Sequence, residues 1–103
     1  MKPYDCCLTL SFPNALEESS LGYLLEHPEW VQGFSTIRVE GHGRMSKGHE
    51  TAELVRGRSG RLYVQVVINR EEAQALVTQL RAALPSAEVA YWLTPVIEFG
   101  RFA

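Results

Sequence analysis

An α+β fold, with four antiparallel strands and two helices on one face, follows from three observations in the sequence. Tyr4 to Phe12 and Leu62 to Ile68 alternate apolar and polar residues, the period of half-buried strands. Ala73, Leu76, Val77, Leu80 and Leu84 recur at the i, i+3, i+4, i+7 spacing of an amphipathic helix. Proline and capping signals fall between these segments and divide the chain into alternating elements.

The first strand carries Tyr4, Cys6, Leu8, Leu10 and Phe12 on one face and Asp5, Cys7, Thr9 and Ser11 on the other, and Pro13 ends it. Asn14 followed by Glu17 reads as an N-cap with its capping-box partner, opening a helix with Leu16, Leu21, Leu24 and Leu25. His27-Pro28 closes that helix, because the residue before proline avoids the helical region. A second strand runs roughly from Phe34 to Gly41. The third, Arg61 to Asn69, sets Leu62, Val64, Val66 and Ile68 on one face. Asn69 with Glu72 repeats the capping box before the second helix, which Pro85 stops. Val89 to Leu93 forms a fourth strand; Pro95 interrupts it, and Val96 to Phe99 continues along an edge. This β-α-β-β-α-β order is the ferredoxin-like arrangement, and residues 1–103 read as a single domain.

An apolar share of 46% is that of a folded globular chain, and a formal charge of −2 gives no general attraction to nucleic acid. The amino-terminal run MKPYDCCLTL lacks the apolar core of a signal peptide, and no run approaches transmembrane length. The expectation is a cytoplasmic protein that is not itself inserted in a membrane. Cys6 and Cys7 are the only cysteines. As strand neighbours they face opposite ways, so a disulfide between them is strained and both thiols are expected reduced.

The connection between the second and third strands, about residues 42–60, is the segment that bears on function. Paired strands need a loop of only about two to five residues, and longer connections are usually functional or disordered. Arg44, Lys47, Arg56, Arg58 and Arg61 are five of the ten basic residues, opposed within that span only by Glu50 and Glu53. That local positive charge suits an anionic ligand or an acidic partner. Gly41, Gly43 and Gly48 permit the backbone to curl its amides around an anion, with Arg44 and Lys47 adding a fork and a point charge. His42 and His49, near Glu40 and Glu50, are donors suited to a divalent transition metal, although their spacing fits no standard motif. Cys6 and Cys7 suit a soft metal, but a strand cysteine beside Leu8 and Leu10 reads first as a small buried hydrophobe. His27, at a helix end, reads as a partner of the helix dipole. The set contains no nucleophile–base pair and no carboxylate pair on a rigid element, so catalysis is not expected.

One sheet face is covered by helices, yet Val67, Val39 or Ile37, and Trp92 or Tyr91 fall on the other. An exposed apolar sheet face of that kind predicts a homo-oligomer in which sheets pack together.

With these elements in place, the run Val39-Glu40-Gly41-His42-Gly43-Arg44, then Lys47-Gly48-His49, Glu53-Leu54 and Arg56-Gly57, resembles the T-loop of the PII signalling proteins. The Pro95-Val96 segment is also similar to the PII stretch after the last core strand. The whole sequence further resembles a family of small PII-like bacterial proteins, often encoded beside heavy-metal efflux pumps. Three features depart from PII proteins, which bind ATP or ADP between subunits. The Leu84-Pro85-Ser86-Ala87-Glu88-Val89 junction lacks the glycines and lysine of the PII B-loop, the carboxyl-terminal arginine pair is reduced to Arg101, and no tyrosine lies between Tyr23 and Tyr63. The ATP site implied by the resemblance is therefore incomplete.

The resemblance implies a trimeric, non-enzymatic regulator whose loop is ordered by a small ligand, an anion or nucleotide held by Gly41, Gly43, Arg44, Lys47 and Gly48, or a metal ion. Glu50, Glu53, Arg56 and Arg58 would then meet a partner protein, with a membrane transporter or efflux component as the implied class. The alternative is a metal-binding protein of heavy-metal homeostasis that uses His42 and His49. A purely structural oligomerisation module is a third possibility.

Overall fold

The computed structural model describes residues 2–28, 31, 33–42 and 58–103, with Arg58 and Ser59 by backbone alone. Strand β1 (Cys6–Pro13) leads through a 3-10 turn (Asn14–Leu16) into helix α1 (Glu17–Glu26). Strands β2 (Ser35–His42) and β3 (Arg58–Ile68) follow, then helix α2 (Arg70–Ala83) and strand β4 (Ala90–Pro95). The sheet order is β2-β3-β1-β4, antiparallel throughout. This is the ferredoxin-like arrangement the sequence predicts.

The register fixes every face. Leu8 pairs with Val66 and Leu93, and Leu10 with Val64 and Tyr91, so the two central strands carry an apolar face from Cys6 to Phe12 and from Leu62 to Ile68. Leu8 and Val64 are fully buried, as are Ala73 and Leu76 on the α2 stripe that covers them. Leu24 is the buried residue α1 adds to the same core. Asn69 starts α2 as expected: its side chain accepts the Glu71 N–H at 3.1 Å, while Nδ2 donates to the Pro3 carbonyl at 3.1 Å. His27 ends α1, its N–H reaching the Leu24 carbonyl at 3.2 Å.

Asn14 does not act as the cap the sequence suggests. It opens the 3-10 turn, α1 begins at Glu17, and neither start has a side-chain cap. Pro13 delivers the chain in extended geometry, so the tighter turn comes first. The Asn14 side chain instead lies over Gly60 of β3, where a Cβ would collide with its amide. The strand limits also differ slightly. β3 begins at Arg58 because its pairing with β2 persists to His42↔Arg58. Pro95 closes β4 rather than interrupting it, which an edge strand tolerates, and the Val96 N–H adds one bond to the Asp5 carbonyl at 3.0 Å.

The face away from the helices is open. Ile37 and Val39 both lie on it, in register with Tyr63 and Arg61, and of the aromatic pair it carries Trp92. Tyr91 lies on the helix side, its hydroxyl 3.3 Å from the Arg81 guanidinium. Thr9 and Ser11 are 2% and 5% exposed although they sit on the open face. Their cover is a roof of neighbouring side chains. Tyr63 and Trp92 meet edge to face across β1 at 5.4 Å, Gln65 donates to Thr9 Oγ1 at 3.4 Å, and Arg61 lies over Ser11.

Candidate functional site

The β2–β3 hairpin places the two ends of the candidate loop side by side. Gly41 pairs with Ser59 and His42 with Arg58, the last rungs of the ladder. Strand alternation puts His42 with Glu40 and Arg38 on the helix side of β2, and Gly41 with Val39 on the open side. His42 and Glu40 are exposed. Arg38 is anchored to α1 by a 2.8 Å bond from its guanidinium to Glu17 Oε2. Gly43, Arg44, Lys47, Gly48, His49, Glu50, Glu53 and Arg56 lie outside the described residues. Arg58 is placed by its backbone alone.

Just inside the loop ends, Arg61 joins the sheet to the α2–β4 junction. Its Nε donates to Ser11 Oγ at 2.8 Å, and its terminal nitrogen donates to the Ser11 carbonyl at 3.1 Å. The same nitrogen donates to the Glu88 carbonyl. Thus β3, β1 and the residues before β4 share one cation. In the sequence Arg61 is one member of the basic cluster; its clamp depends on a register that composition does not carry.

The junction itself is folded inward on Ser86. The Glu88 N–H donates to Ser86 Oγ at 3.2 Å and the Val89 N–H to the Ser86 carbonyl at 3.3 Å. Those amides are committed to the turn, where a phosphate cradle needs amides directed outward. A cavity of about 90 Å³ lies nearby, between α2 and strands β1 and β4. It is well below the roughly 300 Å³ at which ligand pockets begin, and it reads as a packing groove.

The two thiols point to opposite sides of the sheet. Cys6 is buried in the core and Cys7 is half-buried toward the open face, both free. Burial raises the Cys6 pKa, and the charges of Asp5 and then Cys7 add to the rise. The His27 ring packs on Tyr23 with centroids 4.4 Å apart. Among the described residues, no three His, Cys, Asp or Glu side chains are grouped to hold a metal ion. Among them, too, no helix is long and apolar enough to cross a membrane.

Residues 3–103 match the DUF3240 family, whose description is "protein of unknown function". The chain belongs to the DUF3240 family. A DUF3240 family protein from Shewanella baltica OS155 is similar over 98% of this chain and 99% of its own, with a TM-score of 0.75 at 19% identity. The fold also matches CPII from Thiomonas intermedia K12, a nitrogen regulatory PII-like protein solved with ADP, AMP and bicarbonate. That match covers 94% of this chain and 93% of CPII, with a TM-score of 0.68 at 12% identity. CutA1 from Pyrococcus horikoshii superposes at a TM-score of 0.68 and 10% identity, over 94% of this chain and 88% of its own. No curated protein matches the sequence. At these identities the solved structures establish a shared fold, and that fold is PII-like.

Proposed function

We propose that this DUF3240 chain is a PII-like regulator in which a small ligand at the base of the β2–β3 loop controls docking of the loop on a partner protein. The carrying observation is the pairing of His42 with Arg58, which sets both loop ends on one rigid hairpin within a PII-like fold. A ligand held there is at the mechanical root of the loop, and its preference for one loop arrangement supplies the switch. Gly41, Gly43, Arg44, Lys47 and Gly48 form the anion-binding set, and Glu50, Glu53, Arg56 and Arg58 meet the partner. A membrane transporter is the partner class the PII-like resemblance favours. The open sheet face, with Ile37, Val67 and Trp92 exposed, supports assembly into a homo-oligomer, and the trimer of the PII proteins is the arrangement proposed.

Calorimetry tests the reading. ADP, AMP and bicarbonate, the molecules found on CPII, are titrated separately into the wild type and Arg44→Ala. Binding of one of them, lost in Arg44→Ala, is expected. Zinc, copper or nickel binding that disappears in His42→Ala and His49→Ala, with no anion binding, would replace the sensor by a metal-binding protein.

A further inference from the structure

Between the end of α2 and strands β1 and β4, the packing groove of about 90 Å³ is left unfilled. Leu10 and Phe12 form its buried floor, and Leu84 and Val89 stand half-buried at its sides. Its rim is polar and exposed, made by Arg81 and Tyr91. The Arg81 guanidinium lies 5.7 Å from the centre of the Tyr91 ring and donates to the Tyr91 hydroxyl at 3.3 Å. A guanidinium carries several more N–H donors than that bond uses, and among the described residues no carboxylate pairs with Arg81. The groove also adjoins a sheet edge. In the order β2-β3-β1-β4, strand β4 pairs with β1 alone among the described strands, so its outer side keeps unpaired backbone groups.

We propose that this groove and the outer edge of β4 receive the carboxyl-terminal end of a partner chain whose last residue is leucine. Groove size selects the side chain. A cavity of about 150 Å³ takes benzene with its six carbons, so one of about 90 Å³ takes roughly four, the isobutyl group of leucine. The rim selects the charge. In a terminal leucine the side chain and the carboxylate are borne by the same carbon, so filling the groove brings the carboxylate to the rim, where Arg81 has donors to spare. The edge selects a chain over a free acid. So small a groove encloses too little of a free molecule to hold it, whereas an extended chain added along β4 gains main-chain hydrogen bonds as well. This proposal does not depend on the loop-base reading, and its failure would leave that reading intact.

Two-dimensional NMR of the isotope-labelled protein tests this with short peptides at millimolar concentration. An acetylated tetrapeptide ending in leucine, its carboxamide, and the same peptide ending in alanine are titrated separately. The leucine acid is expected to shift the amides of Leu84, Val89 and Tyr91 and to bind about threefold or more tightly than either control. Arg81 is exposed, so Arg81→Gln should fold like wild type, and it is expected to bind the leucine peptide and its carboxamide equally. If the alanine peptide binds wild type as well as the leucine peptide does, the groove is not filled and the proposal is overturned. Equal binding of acid and carboxamide by wild type overturns it too, as does the absence of any shift. Isocaproate carries the same isobutyl group and a carboxylate without the chain. An affinity matching that of the leucine peptide would assign the groove to a free small acid and overturn the chain-end proposal.

Discussion

Arg61 holds Ser11 by two bonds, one to its hydroxyl at 2.8 Å and one to its carbonyl at 3.1 Å, while reaching on to the carbonyl of Glu88. A single side chain thereby couples the strand that leaves the loop to the central strand and to the turn before β4. Ser11 is buried, so the oxygens that Arg61 satisfies have little access to water as a substitute.

Arg61→Ala is expected to cost about 1–3 kcal/mol, the range for leaving buried polar groups without partners. Urea denaturation measures it directly. Arg61→Lys should restore only part of the loss, because an ammonium cannot reproduce the planar fork. Full recovery with lysine would mean that charge alone, and not the geometry of the bonds, is what matters.

Gly60 and Asn14 should behave as a coupled pair. An added Cβ at Gly60 meets the Asn14 amide, so Gly60→Ala is expected to destabilise by about 1 kcal/mol, the lower end for overpacking against a side chain that can yield. In an Asn14→Ala background the same change is expected to be neutral or mildly stabilising, since it then only restricts the unfolded chain. Thermal melts of the four proteins in the double-mutant cycle test this; additive effects would show that the two residues do not interact.

Asn69→Ala removes both the acceptor for the Glu71 N–H and the donor to the Pro3 carbonyl. A loss of about 1–2 kcal/mol is expected, at the upper part of the N-cap range because the amino-terminal segment is released as well. Asn69→Asp keeps the acceptor but not the donor and should fall between the two. Proteolysis of the first residues, faster in both variants than in wild type, separates the two roles.

The Cys6 thiol favours its neutral form in the fold, mainly because it is buried, with Asp5 and then Cys7 adding charge repulsion. Its folded pKa lies above the unfolded one, so its contribution to stability is complete below the ordinary thiol range. That contribution is lost as pH rises toward the folded value. Stability measured from neutral to alkaline pH should therefore decline more steeply in the wild type than in Cys6→Val. Parallel curves would show that other groups dominate the alkaline loss.

The sheet and the second helix were legible in the sequence because their signals are local and repeated. Leu62, Val64, Val66 and Ile68 alternate, and Ala73, Leu76, Val77 and Leu80 recur at helical spacing; all eight are buried as that patterning requires. Asn14 misled because a capping residue three positions before a glutamate has the same spelling whether it caps a helix or packs on a glycine from another strand. The burial of Thr9 and Ser11 was illegible for a related reason. Two small polar residues look solvent-facing until register brings Tyr63, Trp92, Gln65 and Arg61 over them. Of the candidate site, the sequence carried the position of the loop and the residues at its ends. The Arg61 clamp and the Ser86 turn required three dimensions, since each depends on partners set by pairing or by backbone direction.

The pairing of His42 with Arg58 also makes the intervening segment an interchangeable cassette. Because the sheet brings the two ends together, a longer or shorter insert meets the same anchor points, and doubling its length adds only about 0.6 kcal/mol of closure entropy. On the proposed function, recognition is then open to rewriting between residues 42 and 58 without redesign of the core. Chimeras that exchange only this segment should retain the scaffold and acquire the binding preferences of the donor.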